Sequence, residues 1–332
     1  MMIENKRPLI ATIWCTTYNH EPYIRQCLDG FVMQETNFRY EVIVHDDAST
    51  DRTADIVREY AEKHPDVIIP IFETENQYSK KDGALDRIMK ASCKGKYIAW
   101  CEGDDYWIDS QKLQKQVDIM EKFPDCSLTV SNSYSYNTEV GMFVEANPIP
   151  IKESRFLTMS ELLREEGGLI STASMCFRGD LLEIKPIEFE TPHVGDRPLR
   201  MWLALNGQVY YDVHPMTVYR IGSVGSFSQR SNLNMSFASE VLRSMNDFYD
   251  YFDIKTNHQY SSDIKYMKDR ELYFYYLRIN SLKRFICDYY KGLPFKNRIV
   301  VLLKYILAFF PPQIRKKIKR CSRHYVKTFP QN

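Results

Sequence analysis

Over the first 130 residues, short apolar runs alternate with stretches of helical periodicity. The runs at 9–15, 40–46, 67–72, 96–101 and 127–133 are β-rich and continuously apolar rather than alternating, which suits strands buried on both faces. Between them, 23–33, 53–63, 83–92 and 110–122 carry apolar residues at helical spacing. In the second of these, Ser49 and Asp51 offer caps, Ile56, Val57 and Tyr60 form one face, and Pro65 follows the end. In the fourth, Asp109 or Ser110 can cap, and Leu113, Val117 and Met120 share a face. Strands separated by helices predict parallel pairing through right-handed crossovers.

From about 134 to 230 the pattern is mixed. Thr158-Met159-Ser160-Glu161 has the spacing of a capping box. Gly167-Gly168 ends that helix, and 169–177 reads as a strand. The segment 191–206 follows, then strands at 208–212 and 216–219. Beyond Gln229 the pattern is helical, at 233–252 and roughly 262–290. The longest apolar stretch, 299–310, contains Lys304 and is too short to span a bilayer.

The chain has 332 residues, 44% hydrophobic and 26% charged, which is ordinary globular usage with enough length for a sizeable core. The net charge of +1 hides an asymmetry. Residues 291–332 hold eleven Lys/Arg and no Asp/Glu, so 1–290 carry 33 basic against 43 acidic side chains. An acidic body argues against nucleic acid as a partner. Eight cysteines without any CxxC spacing fit a reducing cytosol and no zinc site. The N-terminal residues lack the apolar stretch of a signal peptide.

Ligands of parallel α/β sheets bind at the carboxyl ends of strands. Three polar clusters fall there: Cys15-Thr16-Thr17-Tyr18-Asn19, His45-Asp46-Asp47-Ala48-Ser49 and Glu102-Gly103-Asp104-Asp105. In the third, three carboxylates crowd into four positions. Like charges this close repel unless a cation sits between them, and hard oxygen ligands suit Mg²⁺ or Mn²⁺ shared with a phosphate. A solvated acidic turn is the alternative. Asp46 and Asp47 fit either contacts to a base and ribose or an Asp-rich turn. Asp196, in Gly195-Asp196-Arg197-Pro198-Leu199, stands where a helix begins. It is either an N-cap or a general base facing a cleft.

These segments resemble family 2 glycosyltransferases of the GT-A type from about residue 9 to 227. The resemblance rests on four motifs in order: Cys-Thr-Thr-Tyr-Asn-His-Glu, Val-His-Asp-Asp-Ala-Ser-Thr-Asp, Gly-Lys-Tyr-Ile-Ala-Trp-Cys-Glu-Gly-Asp-Asp-Tyr-Trp and Gly-Asp-Arg-Pro-Leu. It implies an α/β fold of the GT-A kind, Rossmann-like, with a mostly parallel central sheet flanked by helices and a helical C-terminal extension. Residues 1–230 would form the transferase domain, with 1–130 holding the nucleotide sugar and 131–230 the acceptor and catalytic base. Residues 231–332 would be the helical extension with its basic amphipathic tail.

The implied donor is a nucleotide-diphosphate sugar, a UDP-sugar being the first expectation. Thr17, Tyr18 and Asn19 would line the nucleotide pocket, and Asp47 with Asp46 would hold base and ribose. Glu102 and Asp104 occupy the family's DxD positions. Asp104 would be the main ligand of Mg²⁺ or Mn²⁺, and Asp105 a second ligand or a support. Asp196 falls at the catalytic carboxylate, implying single-displacement transfer with inversion. Tyr106 and Trp107 offer flat faces for a sugar or belong to the core.

The chain departs from the family in three places. Glu102 replaces the first Asp, Asp86-Arg87 stands near a usual Arg-Asn pair, and Tyr219-Arg220-Ile221-Gly222-Ser223 lacks the usual His. Arg220 or Ser223 are candidates to replace it. His193 and His214 read as structural.

Ile299, Leu302, Leu303 and Ile306 fall at helical spacing before Pro311-Pro312 and a basic run. Residues 291–332 either pack on the body or lie on an anionic membrane surface. The second reading suits a polyprenyl-linked acceptor and a peripheral place on the inner face of the cytoplasmic membrane. Two other function classes are a non-catalytic binder of sugar nucleotides or glycans, and a nucleotidyltransferase. The latter, like a dehydrogenase, is disfavoured because residues 9–23 contain no glycine.

Overall fold

The computed structural model describes residues 7–138, 141–144, 151–164, 170–190, 192–227, 229 and 234–278. The basic tail at 291–332 and the later part of the helix expected over 262–290 lie outside these. The first half runs β1 (Leu9–Thr17), α1 (Ile24–Val32), β2 (Arg39–Asp46), α2 (Thr53–Lys63), β3 (Ile68–Phe72), α3 (Ala84–Ser92) and β4 (Tyr97–Trp100). Next come β5 (Tyr106–Trp107), α4 (Lys112–Lys122), β6 (Cys126–Asn137), β7 (Met142–Val144), β8 (Arg155–Leu157) and α5 (Met159–Arg164). The last part is β9 (Cys176–Arg178), α6 (Asp180–Glu183), α7 (Asp196–Leu205), β10 (Gln208–Ile221), α8 (Met235–Lys255) and α9 (Ser261–Arg278).

One sheet runs through both halves in the order β3-β2-β1-β4-β9-β6-β10-β5. The first four strands are parallel, as their continuous apolar character predicts. The second half makes the sheet mixed. Strand β9 lies antiparallel between β4 and β6, β10 runs parallel to β6, and β5 and β8 pair antiparallel with β10.

Alternation along β1 divides the core. Ile13 and Cys15 join the cluster under α1, α2 and α4, while Trp14 joins the opposite one. Helix α1 seals the first cluster with Ile24, Cys27, Leu28 and Phe31, the inward face of a helical period. The second cluster takes Leu199, Trp202 and Leu203 of α7 together with Met245, Phe248 and Phe252 of α8. Burying each such side chain contributes roughly 1.5–3 kcal/mol.

Two expectations change and one holds. The strand expected over 169–177 is a 3₁₀ turn at Thr172–Ser174 followed by the short β9. The two strands expected at 208–212 and 216–219 are one, bent by register shifts around Pro215, which has no N–H to give to a ladder. The capping box at α5 forms: Thr158 N donates to Glu161 Oε2 at 2.9 Å and Glu161 N to Thr158 Oγ1 at 3.2 Å. Six cysteines among the described residues are free thiols, five of them buried. Among the described residues no helix is long and apolar enough to cross a membrane.

Candidate active site

Strand order reverses between β1 and β4. The chain steps outward from β1 to β2 and β3, then returns to the other side of β1. The crevice at such a switch point is where open α/β sheets bind ligands. The Glu102–Asp105 segment leaves β4 at this point and stays tied to β1. Cys101 N donates to Trp14 O at 3.0 Å and Gly103 N to Thr16 O at 2.9 Å. The approach is close enough to require glycine: a Cβ on Gly103 would lie 2.7 Å from Thr17 Oγ1 and 3.0 Å from His20 Nδ1.

The acidic segment is largely withdrawn from water, so a solvated turn is not its state. Asp104 and Asp105 are 8% and 1% exposed. Burial and the facing carboxylates of Asp104 and Asp196 push the Glu102 carboxyl up to about 8. Asp196, 94 residues further along, is therefore close enough to act on Glu102. Burial and then Asp104 push the Asp105 carboxyl up as well. Among the described residues no three His, Cys, Asp or Glu side chains form a ready metal cluster. The segment fits instead an ion held by one or two carboxylates, its other positions left to phosphates and water, which is the habit of Mg²⁺.

Asp105 faces β10. Its Oδ1 accepts from Arg220 N at 2.8 Å. The Arg220 guanidinium donates to Asp104 O and to Gln26 Oε1. It lies over the rings of Tyr106 and Tyr23, with centroids 4.4 and 5.2 Å away. Arg220 thus braces the acidic segment from behind. Ser223 is fully buried, and its hydroxyl has no hydrogen-bond partner among the described residues. Trp107 is core: it meets Phe31 edge-on at 5.0 Å, and its Nε1 donates to Ala173 O at 2.9 Å. Tyr106 is buried beneath Arg220.

At the end of β1, Thr17 is 2% exposed and its hydroxyl has no partner among the described residues, whereas Tyr18 is 43% exposed. Asn19 has φ +54°, a left-handed conformation that Asn tolerates. Its Oδ1 accepts from Thr50 N at 2.7 Å and its N–H donates to Ser49 Oγ at 2.9 Å, tying the loop after β1 to that after β2. Asp46 accepts from Ser49 N at 3.2 Å through Oδ2, while Oδ1 is buried without a partner, and burial raises its pKa. Asp47 accepts from Gln77 N at 2.6 Å and Tyr78 N at 3.0 Å, so its carboxylate organises the turn after β3.

Asp196 is the first residue of α7 rather than its cap, and no side chain caps that helix. Its Oδ2 accepts from Arg200 Nη2 at 3.2 Å. Arg200 is 4% exposed and also donates to Ile170 O at 3.0 Å.

Sequence reasoning missed Arg200, Gln26 and His20. Arg200 was readable as the i,i+4 partner of Asp196. Gln26 and His20 gave no local signal, because a lone Gln or His carries none. Arg87 stays outside, exposed and 3.8 Å from Asp82. His214 pairs with Asp212 at the surface, and the His193 ring packs on Phe237.

The sequence model for glycosyl transferase family 2 matches residues 12–184, just over half of the chain. The chain belongs to this family. An uncharacterised protein of Mycobacterium tuberculosis is 44% identical over 115 residues, covering 34% of this chain. That match spans about a third of the relative's length (32%). The UDP-Glc:alpha-D-GlcNAc-diphosphoundecaprenol beta-1,3-glucosyltransferase WfaP of Escherichia coli is 24% identical over 238 residues, 71% of this chain and 86% of its own. Among solved structures, S. aureus TarS in complex with UDP-GlcNAc superposes with a TM-score of 0.57 at 18% identity, covering 90% of this chain and 81% of TarS. The fold is accordingly the GT-A type, with its central sheet, flanking helices and helical C-terminal part.

Proposed function

We propose that the chain is an inverting, metal-dependent glycosyltransferase acting in bacterial surface-polysaccharide synthesis. It would move a sugar from a nucleotide-diphosphate sugar to a hydroxyl of a glycan or lipid-linked acceptor. The observation that carries this reading is the withdrawal of Asp104 and Asp105 from water at the switch point beside β1, with the start of α7 near the end of β4, where a Cβ on Gly195 would lie 4.0 Å from Trp100. A buried site with this much negative charge calls for a cation. Asp104 would hold Mg²⁺ or Mn²⁺, with Glu102 beside it. Bound there, the ion neutralises charge developing on the leaving nucleotide.

The remaining steps belong to the chain's own residues. Thr17, Tyr18, Asn19, Asp46 and Asp47 line the nucleotide end, where the Thr17 hydroxyl and Asp46 Oδ1 are buried with no hydrogen-bond partner among the described residues. Asp105 acts as a support, since its carboxylate accepts from Arg220. Asp196 takes the proton of the acceptor hydroxyl as that oxygen attacks the anomeric carbon. The new C–O bond forms on the face opposite the departing diphosphate, so configuration inverts without a covalent enzyme intermediate. Arg200 steadies one oxygen of Asp196 during that transfer. Residues 1–130 serve the donor and 131–230 the acceptor and base.

The UDP-Glc of WfaP and the UDP-GlcNAc bound to TarS support a UDP-sugar as donor, and the diphosphoundecaprenol of WfaP supports a lipid-linked acceptor. A peripheral position on an anionic membrane, reached through residues 291–332, would bring the site to such an acceptor.

The test is a donor screen with Mn²⁺, reading nucleotide release, followed by Asp196→Asn on the donor found. That variant should keep donor binding and lose transfer. Near-normal turnover would remove Asp196 from the base role. Donor binding with no release under any acceptor would favour a non-catalytic binder.

A further inference from the structure

Helices α8 and α9 follow the sheet and grip the start of α7. Arg197, adjacent to Asp196, donates from Nη1 to Tyr249 Oη on α8 at 2.8 Å and to Glu271 Oε1 on α9 at 2.6 Å. The Arg197 and Glu271 side chains are only 18% and 19% exposed, and Tyr249 is fully buried. A pair so withdrawn from solvent is screened much less than a surface pair and fixes geometry more firmly.

Helix α7 has no side-chain cap, and uncapped terminal turns are the places where helices fray. Arg200 restrains the Asp196 carboxylate from within the helix. Arg197 restrains the backbone that bears it, from a neighbouring position and through two other helices.

We propose that Glu271 and Tyr249 act through Arg197 as positioning residues for Asp196, making the C-terminal helices part of the transfer machinery. This rests on the reading of Asp196 as the general base. A base must lie within hydrogen-bond reach of the hydroxyl it serves, and a misplacement of about 1 Å can cost on the order of a hundredfold in rate. Among the described residues, the hydrogen bonds of Glu271 and Tyr249 go to Arg197 on α7 and not to the polar groups at the ends of β1, β2 and β4. Loosening the clamp therefore acts on turnover and spares donor binding.

The experiment compares the single variants Glu271→Gln and Tyr249→Phe, together with Arg197→Glu, the charge-reversed pair Arg197→Glu/Glu271→Arg and Asp196→Asn. Three quantities are measured: kcat, the donor KM and Mn²⁺-dependent UDP binding by titration calorimetry. The proposal expects kcat of Glu271→Gln and Tyr249→Phe to fall about tenfold, with donor KM and UDP affinity within about twofold of the parent. The reversed pair should recover part of the loss seen in Arg197→Glu alone. Unchanged kcat in both single variants, while Asp196→Asn is inactive, would overturn the clamp. Parallel losses of kcat, UDP affinity and thermal stability would also overturn it, since they report general support of the fold. Activity retained by Asp196→Asn would instead overturn the base assignment beneath it.

Discussion

Replacing Gly103 by alanine tests whether the acidic segment is held by close packing against β1. The added methyl would lie 2.7 Å from Thr17 Oγ1, 2.8 Å from Thr17 Cβ and 3.0 Å from His20 Nδ1. Ordinary carbon contacts begin near 3.5 Å, so something must move by more than half an ångström. Thr17 is a poor candidate, being 2% exposed and β-branched, with its carbonyl accepting from Asp47 N at 3.0 Å. The movable part is the acidic segment itself. Overpacking of this kind costs about 1–3 kcal/mol. If the strain appears as a displaced Asp104, Mn²⁺-dependent donor affinity should fall by roughly fivefold to a hundredfold. If it appears in the fold, Tm should drop by at least about 2 °C. Calorimetric titration with UDP and Mn²⁺, paired with a thermal melt, reads both. A Gly103→Ala protein with parental affinity and parental Tm would refute the close-packing account.

Three further outcomes are expected. Asp105→Asn keeps an oxygen to accept from Arg220 N and should change Mn²⁺-dependent UDP binding by less than about threefold, whereas Asp104→Asn should abolish it; equal losses would make Asp105 a ligand. Lys112 is fully buried, lies 3.9 Å from the centroid of Trp107 and donates to Gln116 at 2.6 Å, and burial lowers its pKa from 10.5 to about 8. Charging it costs on the order of 3 kcal/mol below pH 8, a cost that fades as pH rises towards 10.5 because the unfolded chain then loses its extra proton. The parent should therefore gain on Lys112→Met between about pH 8 and 10.5 in urea unfolding; a difference constant with pH would contradict this. Truncation after Tyr290 should release the protein from anionic liposomes, and unchanged co-sedimentation would count against membrane attachment by the basic tail.

Much of the first half of the fold was legible because its signals are local. A continuous apolar run followed by a polar cluster specifies both a buried strand and what sits at its end. This is why Thr17, Asp46 and Glu102 could be placed at one rim before any coordinates. The second half was harder, since its strands are defined by partners remote in sequence. Residues 208–212 and 216–219 looked like two strands because Pro215 interrupts the apolar pattern, yet β6 holds both in one ladder. The choice between second ligand and support for Asp105 was not legible, because the group its carboxylate accepts from, Arg220 N, lies 115 positions away. The partners of Arg197 lie on helices whose mutual placement no local pattern encodes.

The bond from Arg220 N to Asp105 spans 115 positions. Contacts of such separation form late, because loop-closure entropy must be overcome before they contribute. A nascent chain that had completed only β1 to α4 would have its acidic segment without the brace behind it. The brace arrives only with β10, after Asp196 is already part of the chain. On the proposed roles, the donor end is therefore completed only once the base that serves the acceptor is present.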